Sequence, residues 1–295
     1  MATMRVGLEL DDAGGTAVAV DDRVVARAPI VAGGDLSAAA SAAIRHVLGG
    51  VTTPVPVGIA SFAPDTPALS AAVTALAREF SGVRPGVIAS GTAAAVAEAW
   101  IGAAAGAQDV VFFGVGEHTT AGLVRQGAPV LGARGRAASI AWLSLNPVER
   151  EDYRKSGCLE AEVAAAGIVR RLIWRIKSGD RSRVLETVNG DLTAITVAHV
   201  LDGARANDGV SFSVIRDTAK YLGMAAANLV VVADPETLVL GGLMASAADL
   251  LLEPVRVEIA RRLPRAMMDA LKIVPATLDA DAAAIGAARL AATGQ

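Results

Sequence analysis

With 295 residues, 53% of them hydrophobic and 19% charged, the chain is long enough for two lobes of roughly 100–200 residues that bury their cores without staples. A net charge of −3, with Lys and Arg scattered, argues against nucleic acid as a partner, and 3% aromatic content leaves little surface for stacking bases or sugars. The single cysteine, Cys158, excludes an internal disulfide and fits a reducing, cytoplasmic setting. Every apolar run is broken by a charge before reaching about 18 residues, so no membrane partner is expected. The start, Met1 to Arg5, leads into a strand-like run without the apolar region of a leader peptide.

Two apolar runs, Val6–Leu10 and Thr16–Val20, flank Asp11-Asp12-Ala13-Gly14-Gly15 and predict a hairpin. A third strand follows at Val24–Arg27. Asp35 predicts the cap of a helix to about Leu48. Val55–Ile59 reads as a short buried strand, Pro67–Phe80 as a helix with proline at its start, and Thr92–Ala105 as a further helix. The order then restarts. Val110–Phe113, Ala121–Val124 and Pro129-Val130 read as three strands, followed by helices over 159–177, 193–206 and 210–233. Strand Thr237–Leu240, helix 247–263, strand Lys272–Val274 and helix 281–292 complete the chain. A strand-strand-strand-helix-strand-helix unit occurring twice predicts an internal duplication. The lobes are expected at 1–108 and 109–295, with the last helix free to pack back on the first lobe.

Several stretches, in order, resemble the ROK family (repressors, open reading frames and kinases) of the actin-like, hexokinase-like ATPases. Tyr221 to Val230, then Asp234-Pro235-Glu236, Gly241-Gly242 and Asp249 to Arg256, is similar to its nucleotide-side signature. Ala121 to Val124 with Gly127, Gly157-Cys158-Leu159-Glu160 and Ile285 to Ala288 also match. The resemblance implies an α/β protein with a duplicated actin-like (ribonuclease H-like) two-lobe ATPase fold, a sugar-like ligand and a homodimer. No winged-helix-like segment stands before the first strand, so the repressor branch is not matched.

The chemistry the resemblance implies is altered at each station. Family kinases carry an Asp as general base, and ungapped counting back from Ala97-Glu98 puts Ser90 there; a serine needs a base of its own. In place of the Glu-x-Gly-His motif stand Ser139, Ile140, Ala141 and Trp142. Of the cysteine-rich loop only Cys158 remains, and one thiolate makes no tetrahedral site, so no zinc is expected. The first phosphate hairpin, Asp-x-Gly-Gly-Thr in the family, matches Asp12 to Thr16 by letters. The ungapped alignment keeps both strands whole and is preferred; it puts Glu9 in the place of the metal-binding Asp and Asp11-Asp12 in the place of the glycines. The second, usually Gly-Thr-Gly-x-Gly, reads Gly116-Glu117-His118-Thr119-Thr120. After Gly241-Gly242 comes Leu243, placed to fill the nucleoside slot.

Other candidates carry two readings. Glu117 and His118 form a new acid–base centre or a solvated hairpin tip. Arg134 and Arg136 clamp an anion or sit in a solvated loop. Asp65 lines a cleft or enters a helix. Trp142 stacks on a ligand or plugs its pocket. Glu160 is a sugar contact or a helix-dipole carboxylate. The leading expectation is a degenerate ROK-like protein that binds a small ligand without phosphorylating it and needs no cofactor. The alternatives are a divergent sugar kinase using ATP and Mg²⁺, and a fold reused for other chemistry at Glu117, His118 and Arg134.

Overall fold

A computed structural model describes residues 4–51 and 53–293. Met1–Thr3, on which the leader expectation rests, lie outside them. The first half runs β1 (Arg5–Asp11), β2 (Gly14–Val20), β3 (Val24–Val31), α1 (Leu36–Leu48), β4 (Val57–Ser61), α2 (Pro67–Glu79), β5 (Ile88–Ala89) and α3 (Ser90–Ile101). The second half opens with β6 (Val110–Val115), β7 (Thr119–Arg125) and β8 (Ala128–Pro129). Helices α4 (Glu151–Ser156), α5 (Cys158–Val163), α6 (Ala165–Lys177), α7 (Val184–Thr187), α8 (Val197–Arg205) and α9 (Gly209–Ala233) follow. The chain ends with β9 (Thr237–Gly242), α10 (Leu243–Ser246), α11 (Ala248–Ala260), α12 (Arg265–Ala270), β10 (Lys272–Pro275) and α13 (Ala282–Thr293).

The strands form two five-stranded sheets, ordered β3-β2-β1-β4-β5 and β10-β9-β6-β7-β8. Read from their hairpin ends, both follow one plan: third, second, first, fourth, fifth strand. In the first sheet β1–β2 and β2–β3 are antiparallel while β1–β4 and β4–β5 are parallel. The duplicated two-lobe α/β architecture expected from the sequence is therefore present.

The chain packs as two compact units. One comprises Met1–Phe112, Ala121–Ala138 and Ala276–Gln295; the other comprises Phe113–Thr120 and Ser139–Pro275. In the first, the period-2 pattern of β1 sends Val6, Leu8 and Leu10 into a core with Ile44 of α1, Ile59 of β4 and Leu69 and Leu76 of α2. The other face of the sheet is shaved down to glycine. A Cβ on Gly7 would lie 1.8 Å from the Ala284 carbonyl oxygen, and one on Gly58 2.0 Å from that of Ala287. Helix α13, lined with alanines, settles directly on the strands, and Gly286 brings it against Ala93 of α3.

Glu98 fixes this packing. It is fully buried and accepts hydrogen bonds from the amides of Thr277 and Leu278, both at 3.0 Å, and of Ala103 at 2.7 Å. One carboxylate thus joins the end of α3 to the turn that leads into α13.

In the second unit α9 is the central helix, capped by Asp208, which accepts from Ser211 N. It packs closely on α11: a Cβ on Gly223 would stand 2.3 Å from that of Glu258. The single helix expected over 159–177 is instead two helices, α5 and α6, broken where Ala164 is extended. The Ala165 amide there donates to the Gly116 carbonyl at 2.9 Å, a tertiary bond that competes with helical continuation.

Candidate functional site

The β1–β2 hairpin closes at Asp11 opposite Gly14, around Asp12-Ala13. Gly14 and Gly15 lie within β2. Cβ atoms there would meet the carbonyl oxygens of Ile30 and Glu9 at 2.0 and 1.9 Å, so these glycines serve strand packing. The Asp11 carboxylate folds back onto its own turn and accepts from Ala13 N at 2.8 Å and Gly14 N at 2.9 Å. Asp12 accepts from Thr66 Oγ1 at 3.0 Å, and that same hydroxyl caps α2 by accepting from Leu69 N. Thr66, and not Asp65, is thus the helix-entry residue.

Glu9 stands behind this turn. Burial raises its pKa above the ordinary 4.5; the neighbouring Ser90 hydroxyl lowers it, and the Asp11 charge raises it further. Ser90 opens α3. Its Oγ is buried and, for all its closeness to Glu9, closes no hydrogen bond of regular geometry. The structure therefore brings together Glu9, Asp11 and Ser90, and joins Asp12 to the loop before α2. In the same unit Asp65 pairs with Arg136 at 2.9 Å, both exposed. Arg134 is exposed, with no ion pair among the described residues. Arg136 is thus held by a carboxylate of its own chain.

A second cluster lies in the other unit. Glu117 and His118 are both exposed on the turn between β6 and β7. The carboxylate that faces His118 is Glu160: His118 Nδ1 lies 3.3 Å from Glu160 Oε1. Glu160 Oε2 accepts from Thr119 N at 2.9 Å and from Thr119 Oγ1 at 3.3 Å. The contact between His118 and Glu160 spans 42 residues of sequence. Glu160, expected as a helix-dipole carboxylate or a ligand contact, ties α5 to the start of β7. Glu117, His118 and Glu160, with Lys155 and Arg170, line an open cavity of about 400 Å³.

Trp142 ends a short 3-10 turn and is 60% exposed. Gly157 lets that turn sit on the α4–α5 junction, since a Cβ there would be 2.1 Å from the Ala141 carbonyl. Cys158 is buried against Tyr153, Ala161 and Leu145, apolar surroundings that do not fit a zinc thiolate. Gly241 is buried at the end of β9. Gly242, at φ +61°, allows the chain to meet Val115, where a Cβ would lie 2.1 Å from the carbonyl oxygen. Leu243 then opens α10, half-buried.

Sequence reasoning passed over Glu162, two residues beyond Glu160. It is buried and accepts from Arg150 at 3.3 Å, from Arg171 at 3.2 Å and from the Tyr153 hydroxyl. Burial and then this carboxylate push the Tyr153 hydroxyl up to about 12. No local signal marked it: Arg150 and Arg171 stand 12 and 9 residues away and reach Glu162 only in the folded chain.

Two sheets of identical strand order, with helices on their faces, define an actin-like sugar-kinase fold. A glucokinase from Streptomyces griseus in complex with glucose and AMPPNP superposes with a TM-score of 0.80 at 22% identity, covering 99% of this chain and all of that one. A ROK transcriptional regulator homologous to Mlc of Escherichia coli gives 0.80 at 19% identity, covering 99% and 78%. The sequence model of the ROK family matches residues 82–293, and the chain belongs to that family. It is 33% identical over 196 residues to a glucokinase of Halalkalibacterium halodurans, covering 65% of this chain and 59% of that protein. It is 28% identical over 194 residues to the DNA-binding regulator NagC of Escherichia coli, covering 65% and 46%. The match spans about half of these relatives' lengths.

Proposed function

We propose that this ROK protein is a non-phosphorylating, sugar-binding regulatory protein. The observation that carries the reading is the Asp11 carboxylate on the amides of Ala13 and Gly14. A phosphate hairpin works by offering such N–H groups to phosphate oxygens. Here they are satisfied internally by a negative charge, with Glu9 and Asp12 beside it, an arrangement that repels a nucleotide phosphate. The residues present do not fit Mg-ATP at this hairpin. Ser90, in the place of the family's base, supports the same reading, because its own hydroxyl lacks a base of regular hydrogen-bond geometry. A sugar is the ligand class because relatives in the family are named as glucokinases and as N-acetylglucosamine repressors. The lone cysteine and low net charge support a cytoplasmic protein with no nucleic-acid partner. A homodimer, implied by the family resemblance, belongs to the same proposal.

The test is a coupled assay of ADP release with Mg-ATP and glucose or N-acetylglucosamine, run beside calorimetry of each sugar. Sugar binding without sugar-dependent ADP release is the expected result; ADP release overturns the reading.

One observation favours a second reading. Glu9, the carboxyl whose proton affinity is raised, sits beside Ser90, where the family's base belongs. A divergent kinase would use Glu9 as that base. Sugar-dependent ADP release abolished by Glu9→Gln would establish it.

A further inference from the structure

A cavity of about 810 Å³ lies wholly within the second unit, between α4, α6 and α9. Of the stretches singled out in the sequence, only the start of the Tyr221–Val230 segment reaches it, through Tyr221 and Met224. Five cationic side chains face it against three acidic ones, an excess of two positive charges in a chain whose net charge is −3.

The excess has two sources. Glu162 is shared between Arg150 and Arg171, so two guanidinium groups meet one carboxylate in direct contact. Glu258 is shared between Arg261 and Arg262, and Arg262 turns toward the cavity. The remaining pairs, Arg170 with Asp152 and Lys220 with Asp217, are balanced. Arg171 is the most enclosed of these cations. Its Nη2 donates to Thr218 Oγ1 at 2.5 Å, while its Nε is buried with no hydrogen-bond partner. A buried donor left unpaired is costly.

The cavity also has an apolar side. Trp174 is 65% exposed, and Tyr221, whose ring lies 6.0 Å from the Arg171 guanidinium carbon, and Met224 stand with it. Guanidinium groups next to an aromatic wall match a ligand with an anionic head and a flat or apolar body.

We propose that this cavity is a binding site for a small organic anion, with its carboxylate or phosphate group held by Arg150 and Arg171 and its body against Trp174 and Tyr221. The site is independent of the hairpin and of the function proposed above.

The experiment titrates the full chain with phenyl phosphate and with benzoate, using calorimetry and tryptophan fluorescence, with inorganic phosphate and benzyl alcohol as controls. Saturable binding of at least one aryl anion is expected, about tenfold tighter than either control, with quenching lost in Trp174→Ala. Tighter binding of phenyl phosphate assigns a phosphate ester, and tighter binding of benzoate a carboxylate. Arg171→Met should abolish binding, and it leaves Glu162 with Arg150 and the Tyr153 hydroxyl, but it replaces a largely enclosed side chain and can cost stability. Lys220→Glu is therefore the companion variant: it alters an exposed wall, should melt with the parent, and should weaken binding about tenfold. No saturable binding of either aryl anion at millimolar concentration overturns the proposal. So does binding unchanged in Lys220→Glu and Trp174→Ala, or benzyl alcohol binding as tightly as the anions.

Discussion

Three carboxylates define the altered hairpin at the residue scale, and Glu9 gives it a measurable signature. Burial holds its folded-state pKa above the ordinary 4.5. The folded protein therefore binds more protons than the unfolded chain between 4.5 and the raised value, and stability falls as pH rises through that window. Glu9→Gln stays neutral throughout. The variant should match the parent at pH 4 in urea midpoint and exceed it at pH 7; a parent that gains stability relative to Glu9→Gln over that interval would contradict the assignment. The hairpin itself was legible in the sequence, since alternation and turn residues are local signals. The pairing of His118 with Glu160 was not, because adjacency favoured Glu117 and only the fold brings α5 to the β6–β7 turn.

The informative contact among elements is α13 against β1, β4 and α3. Helices this close to strands need glycine, which has no Cβ, at the closest approaches and alanine, whose side chain is a single methyl, around them. Gly286→Ala should destabilise by about 1–3 kcal/mol, because its new methyl would meet the Ala93 carbonyl oxygen at 1.8 Å. Gly116→Ala, with nothing within 4 Å of the added atom, should stay within about 0.5 kcal/mol. Thermal or urea unfolding of the two variants makes the comparison. Glu98→Ala strands three backbone amides and should cost about 3 kcal/mol, with Glu98→Gln less severe because its amide oxygen still accepts. Helices α1 and α2 could be read from Asp35 and Pro67 because caps and initiators are written locally. The break between α5 and α6 could not, since its cause is the distant carbonyl of Gly116. Helix α12, Arg265–Ala270, was also missed; its single turn and a half carries too little apolar periodicity to register.

For the molecule as a whole, the repeated strand order and the family match establish descent, while the hairpin decides whether the inherited nucleotide chemistry survives. The two can be separated by putting glycines where the proposed alignment expects them. Asp11→Gly with Asp12→Gly removes two negative charges, frees the amides of Ala13 and Gly14, and gives up only the Asx turn and the bond to Thr66. A ligand at a hundred times its Kd stabilises by about 2.7 kcal/mol, a melting shift of several degrees. Mg-ATP at millimolar concentration should leave the parent's melting temperature unchanged and raise that of the double variant. On the function proposed above, in which Ser90 takes the place of the family's base, neither protein should release ADP with a sugar. A parent stabilised by Mg-ATP as strongly as the variant would mean that phosphate is held elsewhere and that Asp11 is only a turn residue.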